Sequence, residues 1–484
     1  MEHVLTEIAE TRRERIRHEG HALGIAVPAE RQGAVVRFGR DPFVICEIKR
    51  RSPSRGAIAE LLDPVAQAGR YVEAGVRSIS VLTEENHFGG SLEDLMRVKK
   101  AFPDVAVLRK DFLLDEEDID VSWRAGADAV LLIAALLPPG RLAALHEHAV
   151  ARGLTALVEV HSREELEAVR SIAPPLVGVN SRDLATFRVD RLLPVKLRQS
   201  IDWSCRTVFE SGINSGSDVS LAVNAGYDGI LVGEAVVRRP ELIGEIIDAQ
   251  RNPGETGKFW ARLFATRQEE NRLPLVKICG LTNALDVNAA DAFGASLLGF
   301  VFAESPRRAD VALLRSLGAT RAQKVGIVVL NRGATDLDPR IAELLADGHL
   351  DALQLHGDEA PEACTALGIP HYKALRLRTA DDASQIAHFD SPRVLVDAFS
   401  ADARGGTGKV LSPEALAAAS AVGPVWIAGG LGADNVREIT ETYRPELVDV
   451  SSRLEAEPGR KDQAKMQKFF DEVRSASFAD RSIS

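Results

Sequence analysis

Sixteen short runs rich in Val, Ile, Leu and Ala recur about every 25 to 35 residues, and run after run ends in a charged or hydroxylated residue. Among the endings are Glu47-Ile48-Lys49, Lys110-Asp111, Glu159, Glu210-Ser211-Gly212, Lys277-Ile278-Cys279-Gly280 and Asp397. A parallel strand covered on both faces reads as a continuous apolar run. In a closed barrel of such strands, the reactive groups stand where the strands leave the core at the C-terminal face. The pattern therefore predicts an α/β chain of two tandem (β/α)8 TIM barrels.

With 484 residues the chain exceeds what one core supports, and two domains are expected. In the first half the strand candidates are Phe43–Lys49, Ser78–Thr83, Val105–Lys110, Ala129–Leu136, Ala156–Val160, Leu176–Asn180, Thr207–Ser211 and Gly229–Val232. The second half restarts with Leu275–Cys279, Leu297–Phe302, Lys324–Leu330, Ala352–His356, His371–Leu375, Arg393–Asp397, Val425–Ala428 and Leu447–Val450. Amphipathic stretches lie between them, and Ser162 stands as an N-cap ahead of Glu164 and Glu165 in a first turn. Residues 1 to about 40 read as helical. The expected division is a barrel over 1–255, a short helical linker over 256–271 that continues from Phe259, and a barrel over 272–484 whose polar tail frays from Ser475.

A formal charge of −11 argues against a nucleic-acid-binding surface but leaves room for local phosphate pockets. Cys46, Cys205, Cys279 and Cys364 form no CxxC pair, as expected of reduced cytoplasmic thiols, and no metal site is indicated. The N-terminus lacks the basic start and apolar core of a signal peptide. No apolar run approaches membrane-spanning length, so no membrane partner is expected.

Glu47 and Lys49 alternate at the end of the first strand, so period two turns both into one mouth; taken alone, that segment reads equally as a solvated strand end. Lys110 and Glu159 end the third and fifth strands, where an ammonium and a carboxylate could face each other across a pocket. General acid–base work needs such a pair, although either residue alone reads as an ion-pair partner. Asn180 closes the sixth strand, as a turn residue or as a group that orients a substrate. The Gly-opened turns Ser211-Gly212 and Gly233-Glu234 read as helix N-termini that cradle a phosphate.

Seven ordered strings carry a family resemblance over about residues 1–255: Glu47-Ile48-Lys49 with Ser52 to Gly56, Ser80 to Thr83, Leu108 to Phe112, Glu159-Val160, Asn180 to Leu184, Glu210 to Ile213 and Val232 to Ala235. This half resembles indole-3-glycerol-phosphate synthase. The resemblance implies that Lys110 is the general acid of ring closure and Glu159 a general base, with Glu47 and Lys49 assisting. Asn180 and Glu210 would orient the substrate, while Ser54, Arg182, Ser211, Gly212 and Gly233 would bind it near its phosphate. Ser181 departs from the second Asn common among relatives.

In the second half, Cys279 ends the first strand as a candidate thiolate base or as a buried structural cysteine. Asp397, across the barrel, could be the matching acid. Gly405 to Lys409 read as a mobile loop, and Gly429 to Asn435 as a glycine turn opening a helix on a lone phosphate.

Lys277 to Thr282, Ser305 to Arg307, Gln354 to Gly357, Asp397, Gly405 to Lys409, Ala428 to Leu431 and Asp449 to Ser452 stand in the order found in phosphoribosylanthranilate isomerase, which residues 272–472 resemble. That likeness implies Cys279 as general base and Asp397 as general acid of an Amadori rearrangement, with Arg307 on the anthranilate carboxylate. His356 joins the substrate-binding set, and Gly429, Gly430, Ser451 and Ser452 would hold the phosphate. Arg453 replaces a small residue of that family; it is expected to point outward or to touch the phosphate, or else to crowd the site.

Together the resemblances imply two consecutive steps of tryptophan biosynthesis on small phosphosugar–anthranilate substrates, chemistry that requires no cofactor or metal; the cysteines point to a cytoplasmic protein, and the covalent fusion of two barrels to a monomer. A tandem of histidine-pathway barrels would place Asp at the ends of strands one and five. A retired scaffold barrel would have lost the acid–base residues. Against the first, strand one ends with Glu47-Ile48-Lys49 in one half and Cys279 in the other; against the second, Lys110, Glu159, Cys279 and Asp397 are all present.

Overall fold

In the computed structural model, residues 2–52, 56–57, 62–183, 186, 188–265, 273–330, 337–398 and 411–478 are described. The chain divides into two compact units between Ala265 and Thr266. In the first, strands β1 (Val44–Ile48), β2 (Ser78–Leu82), β3 (Ala106–Lys110), β4 (Ala129–Ile133), β5 (Thr155–Val160), β6 (Leu176–Asn180), β7 (Arg206–Glu210) and β8 (Gly229–Val232) form a closed barrel. All are parallel and pair in chain order, with β8 closing on β1 through Ile45↔Leu231.

The second unit repeats the plan with β9 (Leu275–Cys279), β10 (Leu297–Val301), β11 (Gln323–Val328), β12 (Ala352–Leu355), β13 (His371–Leu377), β14 (Val394–Ala398), β15 (Trp426–Ile427) and β16 (Leu447–Val450). Closure runs through Leu275↔Leu447. The two-barrel expectation therefore holds.

Period two decides what each barrel encloses. In the first barrel Ile45, Leu108, Leu131, Leu157, Leu176, Val208 and Leu231 come from different strands, yet they form one buried cluster, as interior residues must. Two positions further along the same faces stand Glu47, Lys110, Glu159, Gly178, Glu210 and Gly233. The site is the polar continuation of the barrel interior.

In the second barrel Val276, Ile278, Leu298, Phe300, Leu353, Leu355, Val396 and Val448 belong to the cluster that also holds helix residues, which leaves the alternate residues facing inward. Those are Lys277, Gln354, Tyr372, Trp426 and Asp449, all buried, with the Tyr372 and Trp426 rings edge to face at 4.8 Å.

The helices follow their local signals. Ser162 accepts from the Glu165 amide at 3.1 Å and caps Arg163–Val169 as expected. The N-terminal segment is helical only over Glu2–Glu19, so the expectation of helix to about residue 40 is corrected. Gly20 and Gly24 take φ of +74° and +76°, a left-handed backbone that glycine adopts without steric cost and that stops a helix. The first helix docks through Arg12, which is 5% exposed and bonded to Asp111 and Asp118 at 2.9 and 3.1 Å.

Part of the expected linker, Lys258–Ala265, is a helix that buries Phe259, Trp260, Leu263 and Phe264 and packs on first-unit helices Leu193–Arg198 and Gly216–Asn224. Ahead of it, Glu255–Gly257 form a single 3-10 turn, and 266–271 of the expected linker lie outside the described residues. The last helix runs Gln463–Arg474, up to the residue before Ser475, and buries Met466, Phe469, Phe470 and Val473. Among the described residues no helix is long and apolar enough to cross a membrane.

Candidate active sites

At the C-terminal mouth of the first barrel, Lys110 Nζ lies 3.0 Å from Glu159 Oε2 and 3.0 Å from Glu210 Oε2. Lys49 Nζ is 3.0 Å from Glu47 Oε1, and Gly233 sits beneath this pair, where a Cβ would come within 2.8 Å of Glu47 Oε1. Five ionisable groups expected from the sequence therefore gather at one mouth.

One ammonium is shared by two buried carboxylates, so the surroundings decide which carboxylate keeps the charge. Burial raises both. Lys110 and then His161, whose Nε2 is 3.0 Å from Glu159 Oε1, more than reverse that for Glu159 and hold it below its ordinary value. Glu210 has no such imidazole; burial and the charge of Glu159 outweigh Lys110 and push it up. The pair thus separates into an ionised carboxylate and a carboxyl that can donate. Burial would lower Lys110, but the surrounding glutamates raise it and keep it cationic.

His161 was not among the sequence candidates, although it follows Glu159 at period two on the inward face. It is 9% exposed, and its Nδ1 lies 3.2 Å from Glu165 Oε2. Burial would lower its pKa, but Glu159 and Glu165 raise it to about 10.

Asn180 Oδ1 accepts from the Arg182 amide at 3.0 Å, which fixes the turn that carries Arg182. Ser211 and Gly212 both have positive φ, +66° and +78°. Ser211 is therefore held where a residue with a side chain is costly, a strain that gathers at ligand-holding turns. Contrary to expectation this turn does not open a helix: the helix begins at Gly216, capped by Ser215. Gly233 does directly precede one, Glu234–Arg238. Ser54 lies outside the described residues.

In the second barrel Cys279 ends β9, and its carbonyl accepts from Ser451 Oγ at 3.0 Å. Burial raises the thiol, and Lys277 and Lys461 only partly offset that. Asp397 Oδ2 lies 3.5 Å from His356 Nε2, and Oδ1 accepts from the Ala398 amide at 2.8 Å. Gly429 leaves room for this carboxylate, since a Cβ there would stand 2.7 Å from Asp397 Oδ1.

Beneath these groups runs a buried polar chain in which His356 alone had a role assigned from the sequence. Lys277 Nζ donates to Asp449 at 2.6 Å and to Gln354 Oε1 at 2.5 Å; Tyr372 donates to the same Gln354 oxygen, and Gln354 Nε2 meets His356 Nδ1 at 3.1 Å. Gln354 and His356 alternate on one strand face, which was the available signal.

Gly429 and Gly430 take φ of +90° and +63°. Asn435 closes the glycine turn by accepting from Gly432 and donating to Gly430 at 2.8 and 3.0 Å, ahead of the helix Val436–Tyr443. Ser451 and Ser452 form the adjoining turn after β16. Arg453 bridges the two turns: Nη1 donates to Gly430 O at 2.9 Å and Nη2 to Asp434 at 2.6 Å. Gly405 to Lys409 lie outside the described residues.

His21, Asp115 and Asp118 form the described cluster whose ligand atoms could hold a metal ion, but Arg12 already supplies a cation to Asp118 at 3.1 Å.

Residues 6–247 match the family model described as indole-3-glycerol phosphate synthase, and residues 276–472 that described as N-(5'phosphoribosyl)anthranilate (PRA) isomerase. A multifunctional tryptophan biosynthesis protein of Phycomyces blakesleeanus is 30% identical over 495 residues, covering 90% of this chain and 63% of that protein. The chain therefore spans less than two thirds of that relative. An indole-3-glycerol phosphate synthase of Oceanobacillus iheyensis is 44% identical over 200 residues, 41% of this chain and 76% of its own. A solved phosphoribosyl anthranilate isomerase from Thermus thermophilus is 29% identical, covering 42% of this chain and 100% of that one, with a TM-score of 0.37.

Proposed function

The chain belongs to the indole-3-glycerol phosphate synthase family through its first barrel and matches the phosphoribosylanthranilate isomerase family through its second, and on that basis we infer that it carries out two consecutive steps of tryptophan biosynthesis. The observation that carries the reading is Lys110 held between Glu159 and Glu210 at 3.0 Å, on a barrel followed by a second one with Cys279 and Asp397 at strand ends.

In the second barrel, Asp397 protonates the ribose ring oxygen of N-(5-phosphoribosyl)anthranilate and the C–O bond opens to an iminium. Cys279, as thiolate, removes the proton from C2, and the resulting enol becomes the ketone of 1-(2-carboxyphenylamino)-1-deoxyribulose 5-phosphate. His356, 3.5 Å from Asp397, and Gln354 behind it orient the acid. Arg307 takes the anthranilate carboxylate; Gly429, Gly430, Ser451 and Ser452 hold the phosphate.

In the first barrel the ring carbon bearing the carboxylate attacks the ketone while Lys110 protonates its oxygen. The C–CO2 bond then breaks, and its electrons restore the benzene ring; Glu159 removes the proton from the carbon beside the hydroxyl-bearing one and passes it to the hydroxyl, which leaves as water and completes the indole. Glu47 and Lys49 assist these transfers. Asn180 and the protonated Glu210 orient the substrate, and Arg182, Ser211, Gly212, Gly233 and Ser54 bind it near its phosphate. The protein works as a cytoplasmic monomer, needing no cofactor or metal.

The test is to supply N-(5-phosphoribosyl)anthranilate to purified protein and measure substrate fluorescence, carbon dioxide and indole-3-glycerol phosphate together. Stoichiometric appearance of both products supports the reading. Consumption without carbon dioxide rejects the synthase half, and no consumption rejects the isomerase half.

A further inference from the structure

Arg307 is gripped by one edge. Its Nε and Nη2 donate to the Glu455 carboxylate, each at 2.8 Å, with a second Nε contact of 3.1 Å, whereas Nη1 has no hydrogen-bond partner among the described residues. A guanidinium has two edges that can each take a carboxylate in a fork, and this one has spent its side edge and kept its end edge. The stem is fixed as well. It passes over Gly280, where a Cβ would stand 2.8 Å from Arg307 Cδ, so the guanidinium stays beside the residue that follows Cys279.

Glu455 is itself immobilised. It begins the strand Glu455–Glu457, which pairs with Arg460–Lys461 in a hairpin after β16. Lys461, its ammonium side chain fully buried, lies 3.0 Å from Glu455 Oε1 and also donates to Ser451 O at 3.1 Å; its own amide is held by Asp286 at 2.8 Å. Lys465 donates to the Glu455 carbonyl at 2.7 Å. Arg307, Glu455 and Lys461 sum to one positive charge with one guanidinium edge unfilled. A merely structural Glu455–Lys461 pair would need no arginine, and the surplus charge calls for an anion.

We propose that Glu455 is a positioning residue for the isomerase substrate: it holds Arg307 by the Nε–Nη2 edge so that the Nη1 edge is presented to the anthranilate carboxylate. Lys461 balances the Glu455 charge. The proposal rests on the isomerase reading of the second barrel. The same contact could have been a competitor that keeps Arg307 from its substrate, and the two roles predict opposite signs when Glu455 is replaced.

Steady-state isomerase kinetics on full-length protein, following decay of N-(5-phosphoribosyl)anthranilate fluorescence, separate them. Glu455→Gln should raise KM about tenfold with kcat within about twofold, the pattern of lost ground-state binding. Arg307→Ala should raise KM too, and adding Glu455→Gln to it should change nothing further, because the two act as one unit. If leaving Lys461 unbalanced unfolds the single variant, Glu455→Gln with Lys461→Met removes both buried charges and should still raise KM. A lowered KM, an unchanged KM, or effects of Glu455→Gln and Arg307→Ala that multiply would overturn the proposal. Wild type that leaves the substrate unconsumed rejects the isomerase reading and this inference with it; a competent wild type with indifferent variants rejects only the role of Glu455.

Discussion

Gly178 lies so close under the Glu210 carboxylate that a Cβ on residue 178 would stand 1.9 Å from Glu210 Oε1. Both face the barrel interior at the mouth, Gly178 two residues before the end of β6 and Glu210 at the end of β7. The missing side chain makes the space into which Glu210 folds toward Lys110.

Gly178→Ala should therefore displace Glu210 and lower indole-3-glycerol phosphate formation by at least about tenfold, at an overpacking cost of about 1–3 kcal/mol. Isomerase activity should be unchanged. Assaying each step separately checks this, and an unimpaired synthase would contradict the packing argument.

His161 gives a pH signature. Its pKa is raised from 6.5 to about 10 because Glu159 and Glu165 overcome burial. A raised pKa stabilises fully below the unfolded-state value and is lost as pH rises through the folded-state value. The stability deficit of His161→Asn relative to wild type should thus be largest near pH 6, shrink steadily, and vanish by about pH 10. Urea midpoints across that range decide it; a deficit that grows with pH would refute the assignment.

Lys277 is one of the buried charges on which the second barrel's stability rests. Its side chain is fully buried, and Asp449 sits 2.6 Å away, 6% exposed. Lys277→Met leaves a buried carboxylate uncompensated and should cost about 3–5 kcal/mol, whereas Lys277→Met with Asp449→Leu should recover most of it. Activity should stay low in both, since Gln354 keeps only Tyr372 of its two donors and is less firmly oriented behind His356. Denaturation of the full chain compares them, and a single variant as stable as wild type would rule the pair out as a stabilising element.

Cys279 should make isomerisation alkali-favoured. Burial holds the thiol above its ordinary value, so the thiolate is scarce in the free protein at neutral pH. kcat/KM should rise about tenfold per pH unit between pH 6.5 and 8.5. A flat profile over that range would mean that the base is another group.

Strand ends were legible because a strand buried on both faces writes itself as an apolar run. Leu176–Asn180, Gly229–Val232, Leu275–Cys279 and Leu447–Val450 match their expected limits at both ends. Polar residues standing at run ends, such as Lys110, Glu159 and Asp397, were legible for the same reason. What lies one layer deeper was not. Lys277 sits inside an apolar run, and its partners Gln354 and Asp449 are 77 and 172 residues away. Glu455 lies in a hairpin beyond the last strand, so nothing local marks it as the anchor of Arg307. The close contact of Gly178 with Glu210 exists only once β6 and β7 are adjacent.

If two separate sites, one in each barrel, perform successive steps, Cys279 and Lys110 are the groups whose loss separates them. One assay tests it: N-(5-phosphoribosyl)anthranilate is given to Cys279→Ala, to Lys110→Ala and to an equimolar mixture of the two. Cys279→Ala should leave the substrate unconsumed, and Lys110→Ala should accumulate the carboxyphenylamino ketose phosphate without releasing carbon dioxide. The mixture should form indole-3-glycerol phosphate. If either variant alone completes both steps, or if both stop at the same step, the assignment of one reaction to each barrel is wrong.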